Sequence, residues 1–580
     1  MRLLRRYFPI FDWGASYSRQ ILVSDLIAAV IVTIMLIPQS LAYAMLVGLP
    51  AQVGLYASMA PLLLYAIFGT SRALAVGPVA VASLMTAAAA GLVATQGTPE
   101  YLGAVIALSM VTGLLLIVMG VLRLGFLANF LSHPVISGFI TAAAVQIGIG
   151  QFAPLLGIRG SGENLLDLLI SMGPNLIKIN PYTAGIGLAA LIFLFWGRKG
   201  LKPFLLGIGI NEKLADILSK VGPALAILIT TLAVWGFGLS SQGVAIIGLI
   251  PKGLPKISIP PLEPVLWSKL LVPSLLICIV GYVESISVAL TLAAKRRQRV
   301  DPNQEMIALG ISDVGSSISG SFPVTGALSR SVVNFDAGAQ TPAAGAYTAI
   351  GVALATLFLT PLLFFLPKAV LASTIIVAVF SLVDLKALKK TFAYSKTDFA
   401  AMAATILMTW VEGVEIGLVA GVGLSILLHL YKTSRPHVAV VGQIPGTTSF
   451  RNVSRHTVIT DPEILSLRVD ESLYFPNARF LEDLINDSVA ANPAIRHIIL
   501  ECPAVNTIDS SALESLEAIN HRLKDGGITF HLSEVKGPVM DLLKRSHFLD
   551  ELTGKVHLSQ FEAVSSINPE LANKTLRKGT

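Results

Sequence analysis

Fourteen apolar stretches, each long enough to cross or nearly cross a lipid bilayer, constrain the fold of this chain more than any other feature. They lie at 22–46, 51–69, 73–94, 101–122, 132–153, 181–197, 221–239, 269–294, 303–320, 322–337, 343–366, 368–383, 397–411 and 413–431. Within hydrocarbon every backbone amide and carbonyl must find a partner inside the protein, so such stretches fold as helices. We therefore predict an all-α polytopic membrane domain with 14 transmembrane segments over residues 21–435.

The composition supports this class and excludes several others. Of the 580 residues, 54% are hydrophobic and 13% are charged, about half the charged fraction of an ordinary soluble protein. The net charge of +7 comes from basic residues in short loops beside the spans, which indicates membrane topology and not nucleic-acid binding. The cysteines Cys278 and Cys502 are too isolated for a disulfide framework, and the histidines are scattered. With no Walker loop, HExxH or CxxC motif, we predict no catalytic site, cofactor or metal.

The basic loops predict the orientation of the chain. They follow even-numbered spans and contain Arg72, Arg123, Arg198, Lys199, Lys202, Lys295, Arg296, Arg297, Arg299, Lys386, Lys389, Lys390, Lys432 and Arg435. Because basic loops stay in the cytoplasm, we predict that both termini are cytoplasmic. Residues 1–20, with Arg2, Arg5 and Arg6, are interpreted as a cytoplasmic leader at the membrane interface. Compact loops suggest a bacterial inner membrane.

A proline- and glycine-rich segment at 240–268 divides the spans seven and seven. Seven helices per half place the two halves, 21–239 and 269–435, in opposite orientations. This is the inverted-repeat arrangement of many secondary transporters, whose binding sites lie at broken helices near the middle of the membrane.

The tenth span contains the least membrane-like stretch, residues 319–336, which read SGSFPVTGALSRSVVNFD. Broken backbone and a guanidinium are tolerated in a membrane only where they line a polar cavity. We interpret the stretch as a half-helix whose N-terminus, with free amides and a partial positive charge, binds an anion. The residues predicted to contact it are Ala327, Leu328, Ser329 and Arg330. Two alternatives stay open: Ser329 bonds back to a carbonyl, and Arg330 snorkels or forms a structural pair.

The third span contains the matching interruption, Gly77-Pro78 in ALAVGPVAVASLM. Proline at the first helical position would leave the amides of Val79, Ala80 and Val81 free to point outward. Two such half-helices facing each other would add their positive ends at one anion site.

Several motifs resemble those of the sulfate permease family, which includes prestin, pendrin and the plant sulfate transporters. They are IPQSLAYA at 37–44, AQVGLYASMAPLLLYAIFGTSR at 51–72, NQE at 303–305 and PVTGALSRSVVN at 323–334. The resemblance implies a core and a gate domain, elevator-like movement of the core, a homodimer, and an anion between the third and tenth half-helices. Val53 replaces a frequent tyrosine of the family signature, and Ala327 replaces a frequent serine, which removes one hydroxyl donor near the anion.

Three further residues are candidates for the site. Gln39 follows Pro38, where a broken helix would present its amide to substrate, although glutamine also joins helices in bundles. Tyr43, one turn on, either caps the cavity or packs. Glu284 lies in the eighth span, and coupled members of the resembled family carry an acid there, so its protonation on anion binding would give proton symport. The alternative is a permanent Glu284–Arg330 ion pair.

Beyond residue 435 the sequence alternates between strand and helix patterns, which predicts a cytoplasmic α/β domain over 436–560 and a polar tail over 561–580. LYFPNARF at 473–480 and VNTIDSSAL at 505–513 resemble the sulfate-transporter and anti-sigma-antagonist (STAS) domain. Related regulators accept phosphate on a serine in this motif, which makes Ser510 a candidate regulatory site. The alternative is a capping box of Ser511 with Glu514.

These observations predict a secondary anion transporter, with proton-coupled sulfate uptake as the leading function. Bicarbonate, dicarboxylate or chloride transport by the same architecture stays open, as does a nucleobase carrier. An alternative of another class is a membrane anion sensor whose STAS domain recruits a cytoplasmic partner. Net uptake of solute by the purified protein distinguishes transport from sensing.

Overall fold

The computed structural model describes residues 7–126, 132–160, 162, 164–212, 215, 218–219, 221–251 and 253–577. Arg2, Arg5 and Arg6 of the predicted leader lie outside these residues. The chain divides into two compact units, Met1–Ser425 and Ile426–Thr580.

The first unit is built of helices with two very short strands. In chain order the helices are α1 (Ile10–Trp13), α2 (Arg19–Val47), α3 (Ala51–Tyr56), α4 (Ala60–Phe68), α5 (Ala80–Gly91), α6 (Pro99–Val121), α7 (His133–Gly150), α8 (Phe152–Leu156), α9 (Leu165–Met172), α10 (Pro181–Gly207), α11 (Gly222–Gly236), α12 (Pro264–Lys295), α13 (Pro302–Ile318), α14 (Leu328–Asp336), α15 (Ala343–Phe358), α16 (Lys368–Phe380), α17 (Leu385–Tyr394), α18 (Lys396–Glu412) and α19 (Val414–Ser434). The strands are β1 (Val76–Gly77) and β2 (Thr325–Gly326).

Each of the fourteen predicted spans contains a helix, so the predicted helical membrane domain is confirmed. Among the described residues, eight helical segments are long and apolar enough to cross a membrane, and α5, α11 and α15 are shorter apolar helices. In the third and tenth spans an extended segment replaces the first half of the helix. These two spans therefore hold the half-helices α5 and α14.

Helices α6 and α13 pack closely against each other. A Cβ added at Gly113 would lie 2.6 Å from the carbonyl oxygen of Gly310, and a Cβ at Gly310 would lie 2.6 Å from that of Gly113. Only glycine allows two helix backbones to approach this closely. The N-terminus of α13 is capped by Asp301, whose carboxylate accepts from the amides of Asn303 and Gln304, as expected for an aspartate before a first-turn proline.

The second unit has a six-stranded mixed sheet, in agreement with the predicted α/β domain. Its strands are β3 (Val438–Gln443), β4 (Phe450–Asn452), β5 (Ile464–Val469), β6 (His497–Glu501), β7 (Thr529–Ser533) and β8 (Val556–His557), in the order β4-β3-β5-β6-β7-β8. Strands β5 to β8 are parallel, and β3 is antiparallel to both neighbours. Its helices are α20 (Ala478–Ala491), α21 (Ser510–Asp525), α22 (Gly537–Leu543), α23 (Phe548–Glu551), α24 (Gln560–Ile567) and α25 (Pro569–Arg577).

Apolar cores lie on both faces of this sheet. Leu467, Ile498 and Phe530 pack under α20, α21 and α22. On the opposite face Ile499 packs against Ala563 and Val564 of α24. Residues placed in the polar tail by the sequence thus form helices α24 and α25, because α24 covers an apolar patch that the sheet would otherwise expose.

Candidate functional site

The centre of the first unit brings the third and tenth spans together through a two-residue antiparallel sheet. Val76 pairs with Gly326 and Gly77 with Thr325. Each strand leads directly into a half-helix, α5 or α14. Val79, Ala82 and Ala327 pack against one another at the two helix starts. The N-termini of two helices are therefore adjacent, as the inverted repeat predicts.

The first turns of both half-helices leave backbone amides without helical partners. Neither helix has a side-chain cap. Their first helical bonds run from the amide of Ser83 to the carbonyl of Val79 and from the amide of Ser331 to the carbonyl of Ala327, each 3.0 Å. The partial positive charge of a helix N-terminus is thus carried by the amides of Ala80, Val81 and Ala82 in α5 and by those of Leu328, Ser329 and Arg330 in α14.

Two details of the helix starts differ from the sequence interpretation. Helix α5 begins at Ala80 after an extended Val79, so Pro78 precedes the N-cap and does not occupy the first helical position. The amide of Ala327 donates to the carbonyl of Ala75 at 3.1 Å, so it is already used by the sheet. The available amides in α14 therefore start at Leu328.

Arg330 lies in the first turn of α14 and is 1% exposed. Its Nη1 donates to Gln39 Oε1 at 3.1 Å and to the carbonyl of Pro78 at 2.7 Å. Its Nε and Nη2 are buried and have no hydrogen-bond partner in the described part of the chain. These two nitrogens form one edge of the guanidinium, the edge that binds two oxygens of one oxyanion.

The absence of a side chain at Gly77 leaves room for this edge. A Cβ at Gly77 would lie 3.2 Å from Arg330 Nη2 and 3.6 Å from Leu36 Cδ1, and the φ of Gly77 is +152°. This conformation is strained for residues with a Cβ. Glycine at this position therefore serves both the turn and the space beside the arginine.

Gln39 and Tyr43 both line the site from α2. This helix continues from Arg19 to Val47 through Pro38, so the predicted break after Pro38 is not observed. Half-buried Gln39 nevertheless reaches the site by accepting from Arg330. Tyr43, one turn on from Gln39, is 6% exposed.

Glu284 is half-buried on α12, and its carboxylate lies within electrostatic range of Arg330. No ion pair within 4.0 Å joins their side chains among the described residues, and both hydrogen bonds of Arg330 go to neutral oxygens. The structure thus does not contain the permanent Glu284–Arg330 ion pair that the sequence left open.

Leu328 and Ser329 are exposed at the start of α14. The Ser329 hydroxyl makes no bond back to a carbonyl of the described residues, in contrast to many serines of these helices, such as Ser285 and Ser373. Its donor is therefore available to a ligand at the helix N-terminus.

Buried polar residues that the sequence interpretation missed hold the half-helix α14 in place. Ser331 accepts from the amide of Ala75 at 2.8 Å, and Asn334 donates to the carbonyl of Ala73 at 3.1 Å. At the other end of α14, Arg296 donates to the carbonyls of Phe335 and Ala339 and stacks on the Phe335 ring at 4.0 Å. A cation at a helix C-terminus stabilises the helix dipole.

Three carboxylates buried in the first unit are also outside the predicted site. Asp25 accepts from the amides of Gln340 and Thr341 and from the Thr341 hydroxyl. Asp313 accepts from the amide of Val324 at 2.7 Å. Glu305, of the NQE motif, accepts from Tyr65, Thr70 and Ser71. The signal that would have identified them is an acidic residue inside an apolar span.

A cleft of about 880 Å³ opens at the carboxyl end of α5. Its walls come from α2, α5, α7 and α16, and its lining includes Ala42, the neighbour of Tyr43. Lys368 and Asp167 are charged residues of its described lining. The described lining contains none of the predicted site residues, so the cleft lies on the side of α5 away from its N-terminus.

In the second unit Ser510 is exposed at the first position of α21. The N-cap is Asp509, which accepts from the amide of Ala512 at 2.9 Å and, through its other oxygen, from the amide of Phe475 at 2.8 Å. The predicted capping box of Ser511 with Glu514 is therefore wrong, since Asp509 already caps the helix.

Comparison with protein-family models gives two matches along the chain. Residues 22–405 match the sulfate permease family, and residues 456–563 match the STAS domain. The first match covers most of the helical unit and the second covers most of the sheet-containing unit.

Curated relatives of similar length come from plants. Probable sulfate transporter 4.2 of Arabidopsis thaliana is 35% identical over 565 residues, which cover 94% of this chain and 81% of the relative. High affinity sulfate transporter 2 of Stylosanthes hamata is 33% identical over 589 residues, covering 98% and 87%.

Solved structures share the fold at lower sequence identity. The murine Solute Carrier 26 family member A9 anion transporter superposes with a TM-score of 0.88 at 22% identity, covering 97% of this chain and 94% of that one. The transmembrane domain of the cyanobacterial bicarbonate transporter BicA gives a TM-score of 0.59 at 22% identity, covering 70% and 99%.

Proposed function

The chain belongs to the sulfate permease family, and on this premise we propose that it is a secondary active transporter that takes up sulfate together with protons. The family consists of transporters, so the protein is a carrier and not an enzyme. The relatives named as sulfate transporters support sulfate as the substrate.

The observation that carries the proposal is the unpartnered Nε–Nη2 edge of Arg330 beside the free amides of two half-helices. A guanidinium edge binds two oxygens of an oxyanion in a fork geometry, which a spherical halide does not match. Two helix N-termini add positive potential at the same point. This arrangement favours a doubly charged oxyanion over chloride or an uncharged nucleobase.

Proton coupling is assigned to Glu284. Its carboxyl interacts electrostatically with Arg330 without forming an ion pair. An anion on Arg330 would introduce negative charge beside Glu284, and protonation of Glu284 would relieve the repulsion. A proton taken up with the anion also reduces the net negative charge that is moved against an inside-negative potential.

An elevator movement is the proposed transport step. The half-helices are tied to each other by β1 and β2 and by Ser331 and Asn334, so they can move as one body with the bound anion. The cleft lined by residues of α2, α5, α7 and α16 would provide access to the site from one side of the membrane.

Five further expectations accompany this proposal. We expect a homodimer in a cell membrane, namely a bacterial inner membrane, with both termini in the cytoplasm. The STAS domain is expected to bind a cytoplasmic partner. A regulatory phosphorylation of Ser510 is compatible with its exposed position at the start of a helix.

Bicarbonate is the second candidate substrate. Its two carboxyl oxygens fit the same edge of Arg330, although its single charge uses less of the positive potential of the site. Dicarboxylates carry the same oxygen pair on a larger body. Flux measurements with each anion distinguish among these oxyanions.

The test is uptake of radiolabelled sulfate into proteoliposomes at several pH differences, with the parent, Glu284→Gln, and the matched control Glu412→Gln, which removes an exposed acid. We expect accumulation driven by an acidic exterior in the parent and the control, and its loss in Glu284→Gln. Flux of bicarbonate or a dicarboxylate without sulfate flux would replace the substrate. No flux of any of these anions or of chloride would favour the anion sensor.

A further inference from the structure

We propose that Asp313 is a positioning residue of the anion site, and that its carboxylate, together with the Ser285 hydroxyl, fixes the strand that leads into α14. This inference rests on the proposed function, because the anion bound at α14 is the readout of the positioning. Asp313 belongs to α13 and Ser285 to α12, so neither residue is part of the half-helix they would hold.

The two side chains bond to alternate amides of the extended segment 324–326, which contains β2. Asp313 Oδ1 accepts from the amide of Val324 at 2.7 Å, and Ser285 Oγ accepts from the amide of Gly326 at 2.8 Å. Amides two residues apart in an extended chain are oriented alike. Through the pairs Val76–Gly326 and Gly77–Thr325, β2 is bonded to β1 as well. The strand is therefore held both by β1 and by the scaffold helices α12 and α13.

The anchoring residues are themselves fixed in the scaffold. Asp313 is 1% exposed, and its backbone carbonyl accepts from the Ser109 hydroxyl of α6 at 2.9 Å. Ser285 is also 1% exposed and donates to the carbonyl of Gly281 at 2.6 Å. A Cβ at Gly281 would lie 2.5 Å from Thr325 Cγ2, so β2 packs directly on α12.

A displacement of β2 would be transmitted directly to the anion site. The first available amide of α14, that of Leu328, follows Gly326 by two residues, and Arg330 lies two residues further on. Electrostatic sites lose much of their effect when their donors shift by even a small distance. The anchors therefore determine where the free amides and the guanidinium meet the anion.

An intramembrane carboxylate has a second conceivable role as a proton carrier. The two roles differ in what they require of the side chain. Positioning requires an acceptor for the Val324 amide, which an asparagine also supplies. Proton transport requires a group that titrates, which asparagine lacks.

The experiment measures uptake kinetics in proteoliposomes for Asp313→Asn, Asp313→Ala, Ser285→Ala and the control Ser317→Ala. Ser317 is on α13, the helix of Asp313, and is fully buried. It donates to the carbonyl of Ile106 and makes no bond to β2. The substrate is whichever of sulfate, bicarbonate or a dicarboxylate the parent transports. Failure of the proposed function is thereby seen in the parent, and failure of the positioning role in the variants.

We expect Asp313→Asn to keep the KM of the parent and its pH profile. Asp313→Ala leaves the Val324 amide without its acceptor and is expected to raise KM about tenfold, with kcat within about twofold, since a lost bond of about 1.4 kcal/mol corresponds to a factor of ten. Ser285→Ala should act in the same direction, and Ser317→Ala should leave KM unchanged.

Three results would overturn the positioning role. Asp313→Asn could lose the dependence of uptake on the pH difference, which would make Asp313 a proton carrier. Asp313→Ala could transport with the KM of the parent. If Asp313→Ala does not fold, a normal KM in Ser285→Ala together with an altered pH profile in Asp313→Asn would reject the proposal.

Discussion

Replacement of Glu305 is predicted to destabilise the membrane unit more than any single change at the anion site. Glu305 is fully buried, and its carboxylate accepts four hydrogen bonds. Oε1 accepts from the Thr70 amide at 2.7 Å, the Thr70 hydroxyl at 2.6 Å and the Ser71 amide at 2.9 Å. Oε2 accepts from the Tyr65 hydroxyl at 2.7 Å. The residue thus ties α13 to the end of α4 and the loop that follows.

The magnitude follows from the donors that lose their acceptor. Glu305→Ala leaves the buried Tyr65 hydroxyl, the buried Ser71 amide and the partly buried Thr70 amide without a partner, which amounts to about 4 kcal/mol. In Glu305→Gln the amide oxygen can replace Oε1 and keep three of the bonds, and the rotatable Tyr65 hydroxyl can accept from the new amide group. The cost is then about 1–2 kcal/mol. Tyr65→Phe removes one bond and should cost about 1 kcal/mol.

The assay is thermal unfolding of the full-length protein in detergent, followed by loss of the monodisperse peak in size-exclusion chromatography. The midpoints are expected to fall in the order parent, Tyr65→Phe, Glu305→Gln, Glu305→Ala. Uptake by the protein that remains folded should keep the KM of the parent, because Glu305 does not contact Arg330 or the half-helix amides. An unchanged midpoint for Glu305→Ala, or a lower midpoint for Glu305→Gln than for Glu305→Ala, would refute the reasoning.

Three further predictions concern other parts of the molecule. Gly77→Ala places a Cβ 3.2 Å from Arg330 Nη2 at a φ of +152°, so anion uptake should fall at least about tenfold. Isothermal titration with the transported anion should give a weaker Kd. An unchanged Kd would contradict the role of the space between Gly77 and Arg330. Arg296→Gln removes the cation that bonds the carbonyl of Phe335 at the end of α14 and that of Ala339 just beyond it. Hydrogen exchange of the α14 amides should then accelerate by about tenfold, whereas equal rates would mean that the neutral side chain suffices. Burial, with a smaller effect of Glu534, raises the pKa of Glu501 to about 7. Between about pH 4.5 and 7 the folded second unit therefore binds more protons than the unfolded chain, and it loses stability as the pH rises through this range. Glu501→Gln should therefore raise the hydrogen-exchange protection of the β6 amides above that of the parent at pH 8, by a factor that corresponds to up to about 2 kcal/mol. Equal protection of the β6 amides in the parent at pH 6 and at pH 8 would contradict this pKa.

The sequence predicted the general architecture because strong, local physical constraints determine it. A stretch of about 20 apolar residues has few alternatives to a helix in a bilayer, and the fourteen spans accordingly contain helices. The strand and helix periods of the second unit were equally clear. Glycine, proline and arginine inside apolar spans identified the two half-helices, since each of these residues is unfavourable in a membrane without a specific reason.

The structure brings the predicted site residues together, but several of their atoms are arranged differently from the sequence interpretation. Gln39 does contact Arg330, although α2 is not broken at Pro38. The free amides of α5 begin after an extended Val79, and that of Ala327 is used by β1. The exact start of a half-helix depends on the pairing of β1 with β2, which no local pattern reveals.

Tertiary structure alone decided the partners of the buried charges. Arg330 bonds to Gln39 and Pro78, which precede it by 291 and 252 residues, and not to Glu284. Asp313 and Glu305 accept from amides that no motif connects to them. A buried charge takes the nearest well-oriented donor or acceptor after the helices have packed, and those distances are set by the fold of the whole unit and not by the residues around the charge.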